Sequence, residues 1–176
     1  MTNRKNNKGS RARRRMWTMG ILCLSFLSLV AQVNPVGSRK TAKSKVYLLH
    51  SDVLKKSKKN PNPDAQILVG DVVFRHDSIY MYCDSACFYE KTNSLEAFDN
   101  VKMVQGDTLF LYGDYLFYDG NAQIAQVRNH VRMENRTITL TTDSLNYDRV
   151  ANLGYFFDGG TLMDEENVLT SDWGEY

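Results

Sequence analysis

From residue 60 onward, apolar and polar side chains alternate with a period of two, and the alternation is itself repeated. In DTLFLYGDYLFYDG (Asp107 to Gly120) and RTITLTTDSLNYD (Arg136 to Asp148), every other position carries Leu, Ile or an aromatic ring, while Gly, Asn and Asp punctuate the joins. A period of two, rich in β-branched and aromatic residues and bounded by turn formers, marks strands with one buried face. No stretch in this region offers helical spacing over three turns, so an all-β fold is expected.

The phrases line up on Asp84, Asp114, Asp143 and Asp172, which are 30, 29 and 29 residues apart. Five residues before the first three stand Ile79, Leu109 and Ile138, and three before all four stand Met81, Leu111, Leu140 and Leu169. Four residues after them come Phe88, Tyr118, Tyr147 and Tyr176. An upstream phrase keeps step as Val72/Phe74, Val101/Met103, Val131/Met133 and Thr161/Met163. Self-similarity of this length means stacked units, each too small to bury its own apolar face. The apolar positions are odd in offset before the aspartate and even after it, as with Leu116 and Leu145 two residues on. A strand that changes face needs a bulge or bend, so each repeat is expected to be long strands kinked at the aspartate.

A weaker copy precedes these, counted from Asp52, with Tyr47 and Leu49 before it and Leu54 after, and it reads as a capping strand. At the other end the strand around Val168 to Tyr176 is expected at a sheet edge. Val168, Leu169, Trp173 and Tyr176 offer it an apolar surface for strand addition by a partner or a second copy.

Charge divides the chain as sharply as pattern. Residues 1–60 hold fifteen Lys and Arg against one acid, Asp52, whereas residues 61–176 hold seven basic and nineteen acidic residues. An array with a net charge of −12 repels polyanions, which argues against nucleic-acid binding. In the basic part, Arg11, Arg13, Arg14 and Arg15 precede an uncharged run from Met16 to Ala31, the form of a secretory signal. The expected organisation is a signal sequence over 1–31, a basic linker over 32–45 and a β-repeat domain over 46–176. Export then places the domain outside the cytoplasm, with membrane association if the signal is retained.

Candidate chemistry is sparse. His50, His76 and His130 fall in different repeats without a Cys or carboxylate at metal-ligand spacing, and no nucleophile elbow or phosphate loop occurs. Neither catalytic residues, nor a metal, nor a cofactor is expected. The aspartate ladder reads first as bend chemistry, with side chains hydrogen-bonding local amides, and second as a carboxylate pair of a carbohydrate-active solenoid. Cys83 and Cys87 sit about 13 Å apart in an extended strand, too far for a disulfide unless the chain reverses between them.

The order VYLLHSD, PDAQILVGDVVFRHDSIYMYCDSACFYE, NSLEAFDNVKMVQGDTLFLYGDYLFYDG, TLTTDSLNYD and GYFFDGG resembles the OstA-like proteins of Bacteroidetes, relatives of the periplasmic bridge proteins of lipopolysaccharide transport. The resemblance implies a folded-over antiparallel sheet, a β-taco or β-jellyroll, whose apolar interior holds lipid acyl chains. It also implies as partners lipopolysaccharide or a related outer-membrane lipid, other transport proteins met through edge strands, and end-to-end copies of the chain. The expected lining is Val72, Phe74, Ile79, Met81, Val101, Met103, Leu109, Leu111, Leu116, Tyr118, Val131, Met133, Ile138, Leu140, Leu145 and Tyr147. Periodicity alone favours a closed dry core, and it is the resemblance that turns the reading to a groove for acyl chains; a closed β-solenoid or a structural scaffold remain the alternatives.

Overall fold

Strands follow one another with almost nothing but turns between them. The computed structural model describes residues 44–56 and 64–176, so the expected signal sequence and all but the last two linker positions lie outside the described residues. Twelve strands occur among the described residues: β1 (Tyr47–His50), β2 (Val53–Lys55), β3 (Gln66–His76), β4 (Ile79–Tyr89), β5 (Ser94–Gln105), β6 (Leu109–Asp119), β7 (Ile124–Asn135), β8 (Ile138–Asp148), β9 (Leu153–Phe156), β10 (Gly160–Met163), β11 (Val168–Ser171) and β12 (Gly174–Glu175). Every ladder is antiparallel.

Each long strand is interrupted midway by a register shift, between Val69 and Val72 on β3, Tyr82 and Ser85 on β4, Phe98 and Val101 on β5, Tyr112 and Tyr115 on β6, and Arg128 and Val131 on β7. The shifts divide the sheet into two leaves. The first runs β1-β3-β4-β5-β6-β7-β8-β10-β11 and the second runs β2-β3-β4-β5-β6-β7-β8-β9-β12, with β3 to β8 shared. The two leaves fold onto one another about the line of bulges. Rings from opposite leaves meet there, Phe74 lying 5.4 Å from Phe88 between centroids, and one continuous core fills the space between.

The bend is made by pairs of left-handed residues on the odd strands. Gly70 and Asp71 have φ of 83° and 42°, Asp99 and Asn100 of 61° and 50°, and Asn129 and His130 of 61° and 50°. Asn, Asp and Gly tolerate this region, and the extra residue they insert rotates the strand so that its inward set changes parity. The aspartates of the even strands sit opposite and brace the bulges. Asn100 Nδ2 donates to Asp84 at 2.8 Å, His130 Nδ1 lies 2.6 Å from Asp114, and the His130 amide donates to Asp143 at 3.2 Å. The bend falls at the aspartates as expected, but their side chains bond across strands to the neighbouring bulge and not to local amides, and they form an outer ridge along the fold line.

Three expectations need correction. The sheet is not a closed solenoid, since its strands form an antiparallel meander folded once. In the copy around Asp52, Tyr47 and Leu49 do not face inward but are 52 % and 50 % exposed, as is Leu54 at 53 %. A bulge between Leu48 and His50 slips the parity, so Val46 and Leu48 face the core instead. In the last copy Leu162, not Thr161 or Met163, pairs with Leu140 and packs inward, because the Asp158-Gly159 bend lies one residue earlier than a 30-residue step would place it.

Candidate functional site

The space between the leaves is lined from both sides by the alternating columns. Val72, Phe74, Ile79, Met81, Val101, Met103, Leu109, Leu111, Val131, Met133 and Leu140 come from the first leaf, and Leu116, Tyr118, Leu145 and Tyr147 from the second, all buried. Ile138, the remaining expected position, is half-buried near a rim. The columns are brought together by register: Met81 pairs with Met103, Met103 with Leu111, Leu111 with Met133, and Met133 with Leu140, so one apolar stripe crosses five strands. Sequence reasoning missed Leu68, Ala86, Leu95, Ala97, Ala125 and Val127, which complete the second leaf's inner face. Their signal was the same alternation, weakened by the small alanines.

Opposite the ridge, where the two rims meet, the interior is closed by polar groups. One rim carries the turns Asp77-Ser78, Gly106-Asp107-Thr108 and Arg136-Thr137, and the other carries residues 90–93, 120–123 and 149–152. His76, fully buried, places Nδ1 2.6 Å from the Tyr118 hydroxyl. Arg149 reaches across to Asp77 at 3.3 Å. Ser44 also donates from its hydroxyl to Asp77, and the Val46 amide donates to Asn93 Oδ1 at 2.8 Å. The hydrogen bond from Ser44 and the Arg149 guanidinium hold the Asp77 carboxyl below its usual range. Burial lowers the affinity of His76 for a proton, Arg149 adds to this, and Asp77 and the Ser44 main chain oppose it. Burial likewise pushes the Tyr118 hydroxyl up to about 12. These groups make cross-leaf contacts, and the hydroxyl beside His76 is that of Tyr118, which burial keeps protonated.

No set of three or more His, Cys, Asp or Glu side chains that could hold a metal occurs among the described residues. Cys83 and Cys87 are both free. Burial drives the Cys83 thiol up to about 12, which makes it inert at neutral pH. No described helix is long and apolar enough to cross a membrane.

The outer face of the first leaf differs in kind from the inner. Tyr82, Lys102, Tyr112 and Arg132 stand in one cross-strand row, with the Arg132 guanidinium 4.4 Å from the centre of the Tyr112 ring. At the sheet ends apolar surface is uncovered. Val168, Leu169 and Trp173 are 69 %, 63 % and 70 % exposed, and no strand pairs the far side of β11 among the described residues. Leu169 pairs with Leu162 and so continues the inner stripe. Tyr176 departs from the expected docking set: its main chain pairs with Gly154 and its ring packs against the core.

The same architecture is found in a solved structure. LptH of Pseudomonas aeruginosa, described as the LptA-homologous periplasmic component of a lipopolysaccharide transport device, matches with a TM-score of 0.54 at 13 % identity, over 62 % of this chain and 79 % of that one. No curated protein matches the sequence. The profile of the family described as OstA-like protein matches residues 43–176, which span both leaves from Ser44 to β12, and the chain therefore belongs to the OstA-like family.

Proposed function

We propose that the protein is a non-enzymatic periplasmic carrier of an acyl lipid of the lipopolysaccharide class, holding the acyl chains between its two leaves during transport to the outer membrane. The observation that carries this reading is the inner stripe. It is continuous across the shared strands, apolar at every level from Val72 to Leu140, and supplied with the flexible thioethers of Met81, Met103 and Met133. Unbranched Met side chains repack around irregular apolar ligands more readily than Val or Ile. Each methylene transferred from water into such an interior is worth about 0.8 kcal/mol, so a few acyl chains suffice for tight retention.

Among the described residues the leaves share main-chain ladders along the ridge, while across the interior and at the mouth they meet through side chains, so they can part there without breaking a ladder. The acidic surface favours leaving an anionic headgroup in water or bridged by divalent cations. Transport partners of the same fold, or a second copy, would add to the edges at β11 and β1 that no described strand pairs, extending the stripe through Leu169. Mass spectrometry of lipid co-purifying with the protein from its own envelope tests the reading. A stoichiometric acyl lipid is expected, and its absence from protein isolated without detergent counts against it. A second reading, a structural scaffold, draws on the dense packing of the interior, and it predicts no bound lipid under any condition.

A further inference from the structure

The mouth carries a repeated polar pairing that the apolar columns do not explain. The last inward position of each long odd strand on the first leaf is polar: His76 on β3, Gln105 on β5 and Asn135 on β7, 29 and 30 residues apart. The second leaf answers with Tyr118, Tyr147 and Tyr176, each 41 or 42 residues further along the chain. The first pair is made, His76 Nδ1 to Tyr118 OH at 2.6 Å. The last is made loosely, Asn135 Nδ2 donating to Tyr176 OH at 3.4 Å. The middle pair is not made: the Tyr147 hydroxyl donates to Asn152 at 2.8 Å, and Gln105 Oε1 is left buried without a partner.

We propose that this seam is the gate through which acyl chains pass between the leaves, closed at His76–Tyr118 and Asn135–Tyr176 and parting first at the unmade Gln105 pair. The inference rests on the reading of the interior as a lipid site. A rim sealed for good would bring apolar side chains to these positions, as every deeper level of the same columns does. Polar groups instead make closure conditional, because Gln105 Oε1 and His76 Nε2 are buried unpartnered when the mouth is shut and gain partners in water when it opens. A hollow of about 430 Å³ lies at the weak point, its wall mostly polar, with Gln105, Asn135, Asn152 and Tyr176 of the seam beside the rim turn 136–137 and with Leu109 and Ile138 as its aliphatic side chains.

Acid should favour opening. His76 is faced by Tyr118, by Asp77 with Nε2 3.9 Å from its carboxylate, by Arg149 and by the Ser44 main chain, with burial the dominant influence. Its proton affinity is lower in the closed form than in water. The closed form is therefore fully favoured above the ordinary His range and loses that advantage as pH falls below it toward the depressed value.

The test places spin labels on opposite rims at Ser78→Cys and Val150→Cys, in a full chain with Cys23→Ser, Cys83→Ala and Cys87→Ala, and reads the distance between them with and without lipid A. Lipid A should lengthen the distance by several ångströms. Without lipid, Tyr118→Phe should raise the open population about tenfold by unpairing buried His76. The double variant His76→Leu with Tyr118→Phe, which replaces both polar partners by apolar ones, should restore the short distance, an outcome that mere loss of fold would not give. Lipid A retained with an unchanged distance overturns the gate and leaves the lipid reading standing. No retention of lipid A by any variant, open or closed, overturns both.

Discussion

Leu111 offers a stringent test of the two-leaf register. It is 1 % exposed, at the centre of the stripe between Met103 and Met133. Truncation to Ala removes buried methyl groups and leaves a cavity that rigid neighbouring strands fill poorly, at a cost of about 2–5 kcal/mol. For a domain of this size each kcal/mol moves the melting midpoint by roughly 3–5 °C, so a fall of roughly 6–25 °C is expected. Leu111→Asp adds an unpaired charge to an apolar layer and should leave little folded protein at 37 °C. Lys102 supplies the control from the paired strand, since its ammonium lies on the outer face 5.7 Å from the Tyr112 ring centre. Lys102→Gln should cost less than about 1 kcal/mol. Thermal and urea unfolding followed by far-ultraviolet circular dichroism read all three. A wild-type midpoint for Leu111→Asp, or equal losses at Leu111 and Lys102, would refute the assignment of inward and outward faces.

Gly120→Ala should destabilise by about 1–3 kcal/mol, because a methyl there would stand 2.6 Å from the Asn93 carbonyl oxygen and 2.7 Å from Val46; urea midpoints check it. With its thiol held at about 12, Cys83 should resist thiol reagents at neutral pH until the protein unfolds, while half-buried Cys87 reacts measurably in the native state; peptide mapping after timed labelling distinguishes them. Sequencing the amino terminus of protein from the periplasm should show a start near residue 32, and a start at Met1 in a cytoplasmic fraction would sink the export reading. Leu169→Pro removes an amide from β11 and should weaken concentration-dependent association in sedimentation without lowering the melting midpoint of the shared strands.

The alternation made the strands and their inward set legible, because a period of two assigns each residue a face and the repeat confirms it in several copies. What alternation alone could not place was parity at the ends of the array. The bulge between Leu48 and His50 and the early bend at Asp158-Gly159 each insert or remove one residue, and one residue exchanges inside for outside along a whole strand. The left-handed residues supply the missing signal: the pairs Gly70-Asp71, Asp99-Asn100 and Asn129-His130, and Gly159 alone in the last copy, stand immediately ahead of an inward position. Numbering from these residues places Gly160 and Leu162 in line with Val131 and Met133. The seam at the mouth was hidden for a different reason. His76, Gln105 and Asn135 are three different residue types, and the tyrosines that bond His76 and Asn135 lie more than forty residues away, so only the fold brings the pattern into view.

The central claim is that the stripe between the leaves holds acyl chains, and in-cell photo-crosslinking tests it most directly. A photoreactive residue at Met103 or Met133 should capture lipopolysaccharide or a related acyl lipid, while the same residue at Lys102 or Arg132, one position away and facing outward, should not. Equal capture at inward and outward positions, or none at either, would contradict the claim.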